Sequence, residues 1–284
     1  MARRDDAPWK PSNLAKAARL GEWAERITHP IAKRTYRQGF PYLPPTVPLG
    51  MDVPHKPAKL GADYETSWAR KAPAKFVRRG IVNGPMRLVV KGITSPKVYG
   101  SDRLSDLSRL DDPPPLIFTP NHHSHLDTAV MVVTIPEPWR SKLVVAAAAD
   151  YFFDKRWKAM MASLSLNAIP IDREVTGRKS SEMIKELIDE GWSLMIYPEG
   201  GRSPDGWGQD FKGGAAYLSA RTGAAVVPVF IDGTGALFGK GMKRPKLGTT
   251  KVVFGQPLRA LDEENTRRFS ARIEAAVSEL GDES

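Results

Sequence analysis

From about residue 84 onward the chain alternates short apolar runs with segments of helix length, and no other feature constrains its fold as strongly. The runs 88–90, 116–119, 143–147, 168–171, 194–197, 226–231 and 251–254 predict strands. Several are apolar at every position, as strands covered on both faces must be. The segments 126–133, 155–164, 176–190, 212–222 and 263–280 predict helices, the last of them amphipathic. The pattern therefore predicts an α/β fold: a mostly covered central mixed sheet flanked by helices, with no internal repeat.

Residues 1–80 have a different texture. They hold 16 Lys/Arg against 7 Asp/Glu, whereas residues 81–284 hold 26 against 25, so nearly all of the net charge of +10 lies at the N-terminal end. Asn13 is placed to cap a helix over 13–28, and the proline-rich stretch 41–57 reads as an extended connector. These features predict an N-terminal helical and proline-rich extension at 1–80 and a separate domain at 81–284. Trp9, Trp23, Trp68, Phe76, Ile81, Val82 and Met86 interleave with Arg19, Arg26, Lys71, Lys75, Arg78 and Arg79, the mix suited to an anionic membrane surface. A solvated face over ordinary helix packing and a protein-binding arm remain open beside that reading. Aromatic residues among cations also suit nucleic acid, but no nucleic-acid fold motif accompanies them, so no nucleic-acid partner is expected.

The chain contains no cysteine, which excludes disulfides, thiolate metal sites and a cysteine nucleophile. Its first residues, MARRDDAPWKPSN, are charged and interrupted by proline, unlike the apolar core of a secretory signal. The longest apolar run, 143–153, is about half of the roughly 20 residues that span a bilayer and is broken by Asp150. The expectation is a peripheral, monotopic protein on the cytoplasmic side of a membrane, without a transmembrane helix.

The most informative segment is Asn-His-His-Ser-His-Leu-Asp, residues 121–127, between a predicted strand and a predicted helix. It holds three of the five histidines in the chain. The carboxyl ends of strands are where α/β proteins build their sites. One reading is a metal site from His123, His125 and Asp127, as in metal-dependent hydrolases. That run needs a further histidine where Thr128 stands, and the remaining histidines, His29 and His55, lie far upstream. The other reading pairs His122 with Asp127. A turn between strand and helix can return the carboxylate to the imidazole, fixing its tautomer and making a general base that activates a substrate hydroxyl, with Ser124 bracing the turn.

The segment resembles the Asn-His-x-Ser-x-x-Asp motif of the glycerolipid acyltransferases, the family of lysophosphatidate and glycerol-3-phosphate acyltransferases. Three further blocks follow in that family's order: Ala-Ile-Pro-Ile-Asp-Arg at 168–173, Tyr-Pro-Glu-Gly-Gly-Arg-Ser at 197–203 and Val-Pro-Val-Phe-Ile at 227–231. Phe-Lys-Gly-Gly-Ala at 211–215 is similar to a segment found between the last two. The resemblance implies an O-acyltransferase of glycerophospholipid metabolism in residues 81–284. It would move a fatty acyl chain from acyl-CoA or acyl carrier protein to a hydroxyl of a lysophospholipid or glycerol phosphate, with no bound cofactor and no acyl-enzyme. His122 and Asp127 are the implied catalytic pair, and no metal is required.

Arg173, Glu199, Gly200, Gly201, Arg202 and Lys212 are the candidate substrate-binding residues. The glycines permit close backbone approach, and the cations suit an acceptor phosphate. Gly201 stands where the family usually has threonine, and Tyr197 where it usually has phenylalanine. A catalytically silent lipid- or partner-binding member of the fold is the alternative from another class.

Overall fold

The computed structural model describes residues 61, 64–171, 178–201, 210–239 and 241–282. The helix expected over 13–28 and the connector expected over 41–57 lie outside them, as do Arg173 and Arg202. Seven strands are present among the described residues: β1 (Lys97–Tyr99), β2 (Leu116–Pro120), β3 (Leu143–Ala148), β4 (Ala168–Ile171), β5 (Ser193–Met195), β6 (Ala225–Asp232) and β7 (Lys251–Phe254). They form one sheet in the order β1-β7-β6-β2-β5-β3-β4. Every neighbouring pair is parallel except β6 and β7, so the sheet is mixed.

Its central strands are mostly apolar because each face of the sheet has its own core. Leu116, Phe118, Val145, Val227 and Val229 join one cluster with Val130 and Met131, whereas Ile117, Val144 and Val226 join another with Ile184, Leu187, Phe269 and Ile273. The period of two along each strand divides its side chains between two buried layers, leaving no polar face to write into the sequence.

The principal helices are α1 (Ala72–Ile81), α2 (Arg87–Thr94), α3 (Leu126–Thr134), α4 (Arg156–Leu166), α5 (Arg178–Asp189), α6 (Gly214–Thr222) and α7 (Thr266–Asp282). Residue 80, where the charge density changes, falls inside α1. No helix among the described residues is long and apolar enough to cross a membrane.

Two expectations need correction. Residues 88–90 lie in α2, although Leu-Val-Val is a strand-like string. The controlling pattern is longer: Val82, Val90 and Thr94 are buried and Met86 packs beside them at a spacing of four, while Leu88 is 73% exposed. The break between α1 and α2 is at Gly84, whose backbone is non-helical, followed by Pro85. The strand that the sequence reading omitted is β1, three exposed residues at the sheet edge beside β7. With one aliphatic residue and no buried face, it carries no apolar period.

Candidate active site

The parallel strands β2, β3, β4 and β5 deliver their carboxyl ends to one side of the sheet, where a cleft of about 1300 Å³ opens. β2 leads directly into the histidine-rich turn. Asn121 holds this junction in place: its side-chain amide donates to the Ile231 carbonyl at 2.9 Å, and its oxygen accepts the Ile231 N–H at 2.7 Å. The end of β2 is thereby tied to the end of β6.

The turn folds around the Asp127 carboxylate, which is completely buried in the first turn of α3. Its Oδ2 accepts the N–H groups of His123 and Ser124 at 2.8 Å each and faces His122 Nδ1 at 2.9 Å. A carboxylate can only accept, so Nδ1 carries the proton and Nε2 is the ring nitrogen left with a lone pair. Ser124 is structural here. Its hydroxyl donates to the Phe238 carbonyl at 2.6 Å and accepts the Leu126 N–H at 3.1 Å.

His122 is fixed from two further directions. Its backbone N–H donates to Glu199 Oε1 at 2.7 Å, and the Glu199 side chain is buried. Its ring stacks on Tyr197, with centroids 3.9 Å apart and planes 21° from parallel. The Tyr197 hydroxyl shares a 2.9 Å hydrogen bond with Thr128 Oγ1. Burial, and then the negative charge of Asp127, push the Tyr197 phenol well above its ordinary value, so it is a neutral group at any physiological pH.

Glu199 begins the Glu-Gly-Gly turn after β5, and Gly200 has φ +70°, the left-handed region that favours glycine. A Cβ on Gly200 would lie 2.6 Å from Lys212 Nζ, so the glycine leaves room for the lysine side chain to cross the turn. Lys212 itself precedes α6, which starts at Gly214, and is tied back through its N–H to the Pro198 carbonyl at 2.9 Å. A Cβ on Gly201, by contrast, would meet open space.

His122, Gly200, Gly201 and Lys212 therefore line the same cleft, with Asp127 and Glu199 buried behind them. The lining also includes the apolar side chains of Val145, Ala147, Leu166, Ile171 and Ile196. The three clustered histidines diverge. His125 stacks against Tyr151 at 5.5 Å, and His123 gives Asp127 its backbone N–H. Among the described residues no three His, Asp or Glu side chains converge in a set that could hold a metal.

Sequence reasoning missed the supports of this site: the Tyr197 stack, its Thr128 partner and the Asn121 bridge. Tyr197 and Asn121 stood within the recognised blocks, but their partners are 69 to 110 residues away in the chain.

Residues from the blocks at 121–127, 168–173, 197–203 and 211–215 thus line one cleft, the block at 227–231 lies in β6 beside β2, and residues 96–232 match the acyltransferase family model. The chain carries a glycerolipid-acyltransferase-type domain. It is 29% identical over 148 residues to the chloroplastic 1-acyl-sn-glycerol-3-phosphate acyltransferase LPAT1 of Arabidopsis thaliana, covering 51% of this chain and 39% of that protein. It is 28% identical over 115 residues to the 1-acyl-sn-glycerol-3-phosphate acyltransferase of Bacillus subtilis, covering 40% and 54%. The matched region thus spans about half or less of these relatives. The fold is similar to that of the crystal structure of the 1-acyl-sn-glycerophosphate acyltransferase PlsC from Thermotoga maritima. There the TM-score is 0.54 and the identity 21%, over 76% of this chain and 81% of that one.

Proposed function

We propose that this protein acylates lysophosphatidate or a closely related glycerol phosphate, taking a fatty acyl chain from the thioester of coenzyme A or acyl carrier protein. The observation that carries the reading is the 2.9 Å contact between His122 Nδ1 and the buried Asp127 carboxylate, in a cleft whose lining combines Lys212 with apolar side chains. The names of the relatives supply the acceptor, because they are 1-acyl-sn-glycerol-3-phosphate acyltransferases.

In this reading His122 Nε2 removes the acceptor hydroxyl proton as that oxygen attacks the thioester carbonyl. The resulting imidazolium stays against Asp127. When the tetrahedral intermediate collapses, the C–S bond breaks and the thiolate takes the proton back from Nε2, so the histidine ends as it began. Base catalysis of this kind contributes roughly 10²- to 10⁴-fold, with positioning of two substrates supplying much of the rest. Lys212 attracts the acceptor phosphate, joined by Arg173 and Arg202. Gly200 lets the lysine approach, Gly201 leaves space beside it, and Glu199 holds the backbone of His122. The apolar side chains of the lining take the acyl chain.

The acceptor and donor are both lipid-linked, and α1 and α2 expose Phe76, Val77, Leu88 and Val89. The same reading therefore has the protein working on a membrane surface as a peripheral enzyme. Transfer of labelled acyl groups to lysophosphatidate, glycerol 3-phosphate and other lysophospholipids, from acyl-CoA and from acyl carrier protein, tests the proposal. Transfer lost in His122→Ala and untouched by chelator supports it. Transfer retained in His122→Ala would sink the mechanism, and no transfer with any pair would favour a binding protein.

A further inference from the structure

A second cavity, of about 360 Å³, lies beside α1 and is lined, Leu166 apart, by residues that the acyl-transfer reading does not use. Five cations surround it: Arg70, Lys75, Arg78, Arg79 and Arg140. The one carboxylate on its lining, Glu137, is engaged with Arg140 at 3.1 Å. Burial lowers Arg70, with Glu190 and then Glu65 near enough to oppose that shift, and Lys75 lies over the Trp192 ring. Arg78 is different. It is 9% exposed, its Nη1 donates to the Ala69 carbonyl at 2.8 Å, and among the described residues no carboxylate pairs with it.

A buried guanidinium without a counter-charge is costly, and removal from water followed by repulsion from Arg70 lowers Arg78 to about 10. Arg79 likewise has no carboxylate partner among the described residues, and it is exposed. Both side chains line a cavity whose one carboxylate among the described residues, Glu137, is paired with Arg140. That geometry matches a phosphate group better than a carboxylate-free packing core.

The remaining walls indicate the source of the phosphate. Val82, Val132, Leu143 and Leu166 make an apolar side, and Phe76 stands at the rim with 73% of its surface exposed. An inorganic ion would use the guanidinium groups and leave those walls wet, whereas an anionic phospholipid would use both. We propose that this cavity is a second, non-catalytic site for an anionic phospholipid, its phosphate held by Arg78 and Arg79 and its glycerol and chain lying against the apolar side. Leu166 lines both this cavity and the catalytic cleft, so an occupant here touches the wall of the other.

Hydrogen exchange of the full chain, titrated with soluble dihexanoyl phosphatidate, separates this cavity from the cleft. Exchange should slow in residues 72–86, and half-protection should need at least about tenfold more lipid in Arg79→Gln, as expected for loss of one charge-assisted contact. Arg78→Gln should lose the effect; should it fail to fold, the exposed Arg79 carries the test alone. Dihexanoyl phosphatidylcholine should protect weakly, and inorganic phosphate at least about tenfold less well than phosphatidate. Protection confined to residues 121–128 and 197–201, or unchanged in Arg79→Gln, would overturn the site. Equal protection by inorganic phosphate would overturn the lipid as its occupant, and equal protection by phosphatidylcholine would overturn charge as its basis.

Discussion

The cleft at the strand ends and the cavity beside α1 are each organised around a buried ion, but the two ions are treated differently. The Asp127 carboxylate is completely enclosed, and its Oδ2 receives two backbone N–H groups and the His122 ring. Arg78 donates to one carbonyl and faces a like charge. A buried charge satisfied by its own chain rigidifies its surroundings and can orient a reacting group. One left without a counter-charge creates a demand that an outside anion can meet. In the proposed reading, the difference separates a site for proton transfer from one for capture.

The largest effects that would break this comparison are expected in the cleft. His122→Ala should lower acyl transfer by about 10³-fold or more while leaving the circular dichroism spectrum unchanged, since the ring lines a cavity rather than the core. Asp127→Asn should lower kcat by about 10²-fold or more with little change in KM, because an amide cannot hold the imidazole in the same tautomer and stabilise its cation. A loss confined to KM would reassign Asp127 to substrate binding.

Gly200→Ala should act through Lys212. The new methyl group would occupy the place of the ammonium, in backbone that already disfavours a side chain, so KM for a phosphate-bearing acceptor should rise about tenfold while kcat changes less. An unchanged KM would show that Lys212 does not meet the acceptor.

Tyr197→Phe keeps the ring on His122 and loses the bond to Thr128. It should cost about 1 kcal/mol of stability in chemical denaturation and leave kcat within about threefold. A far larger fall in kcat would mean that the hydroxyl itself takes part.

The smallest effect concerns a third kind of ion, at the surface. Arg272 hydrogen-bonds Glu264 at 2.7 Å and holds its carboxyl below the ordinary 4.5. A lowered folded pKa gives stability that is present above the unfolded value and lost as pH falls through the folded one. Between about pH 5 and about pH 3 the melting temperature of the wild type should therefore fall slightly more than that of Glu264→Gln. Parallel curves would remove this pair from the stability of the fold.

How much was legible beforehand depended on the range of the interactions concerned. His122 and Asp127 are five residues apart, so their meeting needed only a strand, a turn and a helix in the right order. The Gly200 to Lys212 approach spans twelve residues, and the sequence marked both positions without joining them. The Glu199 bond to His122 crosses 77 residues, and there too both positions were marked but their contact was not. The 88–90 segment was misread for the opposite reason: its local string favours a strand, while its burial follows a helical spacing set by neighbours.

By itself the sequence determined the α/β class, the covered sheet, the histidine-carboxylate turn and the glycine-containing turn after β5, because each rests on periodicity or on spacing within a few residues. Tertiary structure alone decided that Tyr197 stacks on His122, that Asn121 ties β2 to β6, and that Arg78 is buried without a carboxylate partner among the described residues. Burial and pairing depend on which distant surfaces come together, and a linear order of residues does not contain that information in readable form.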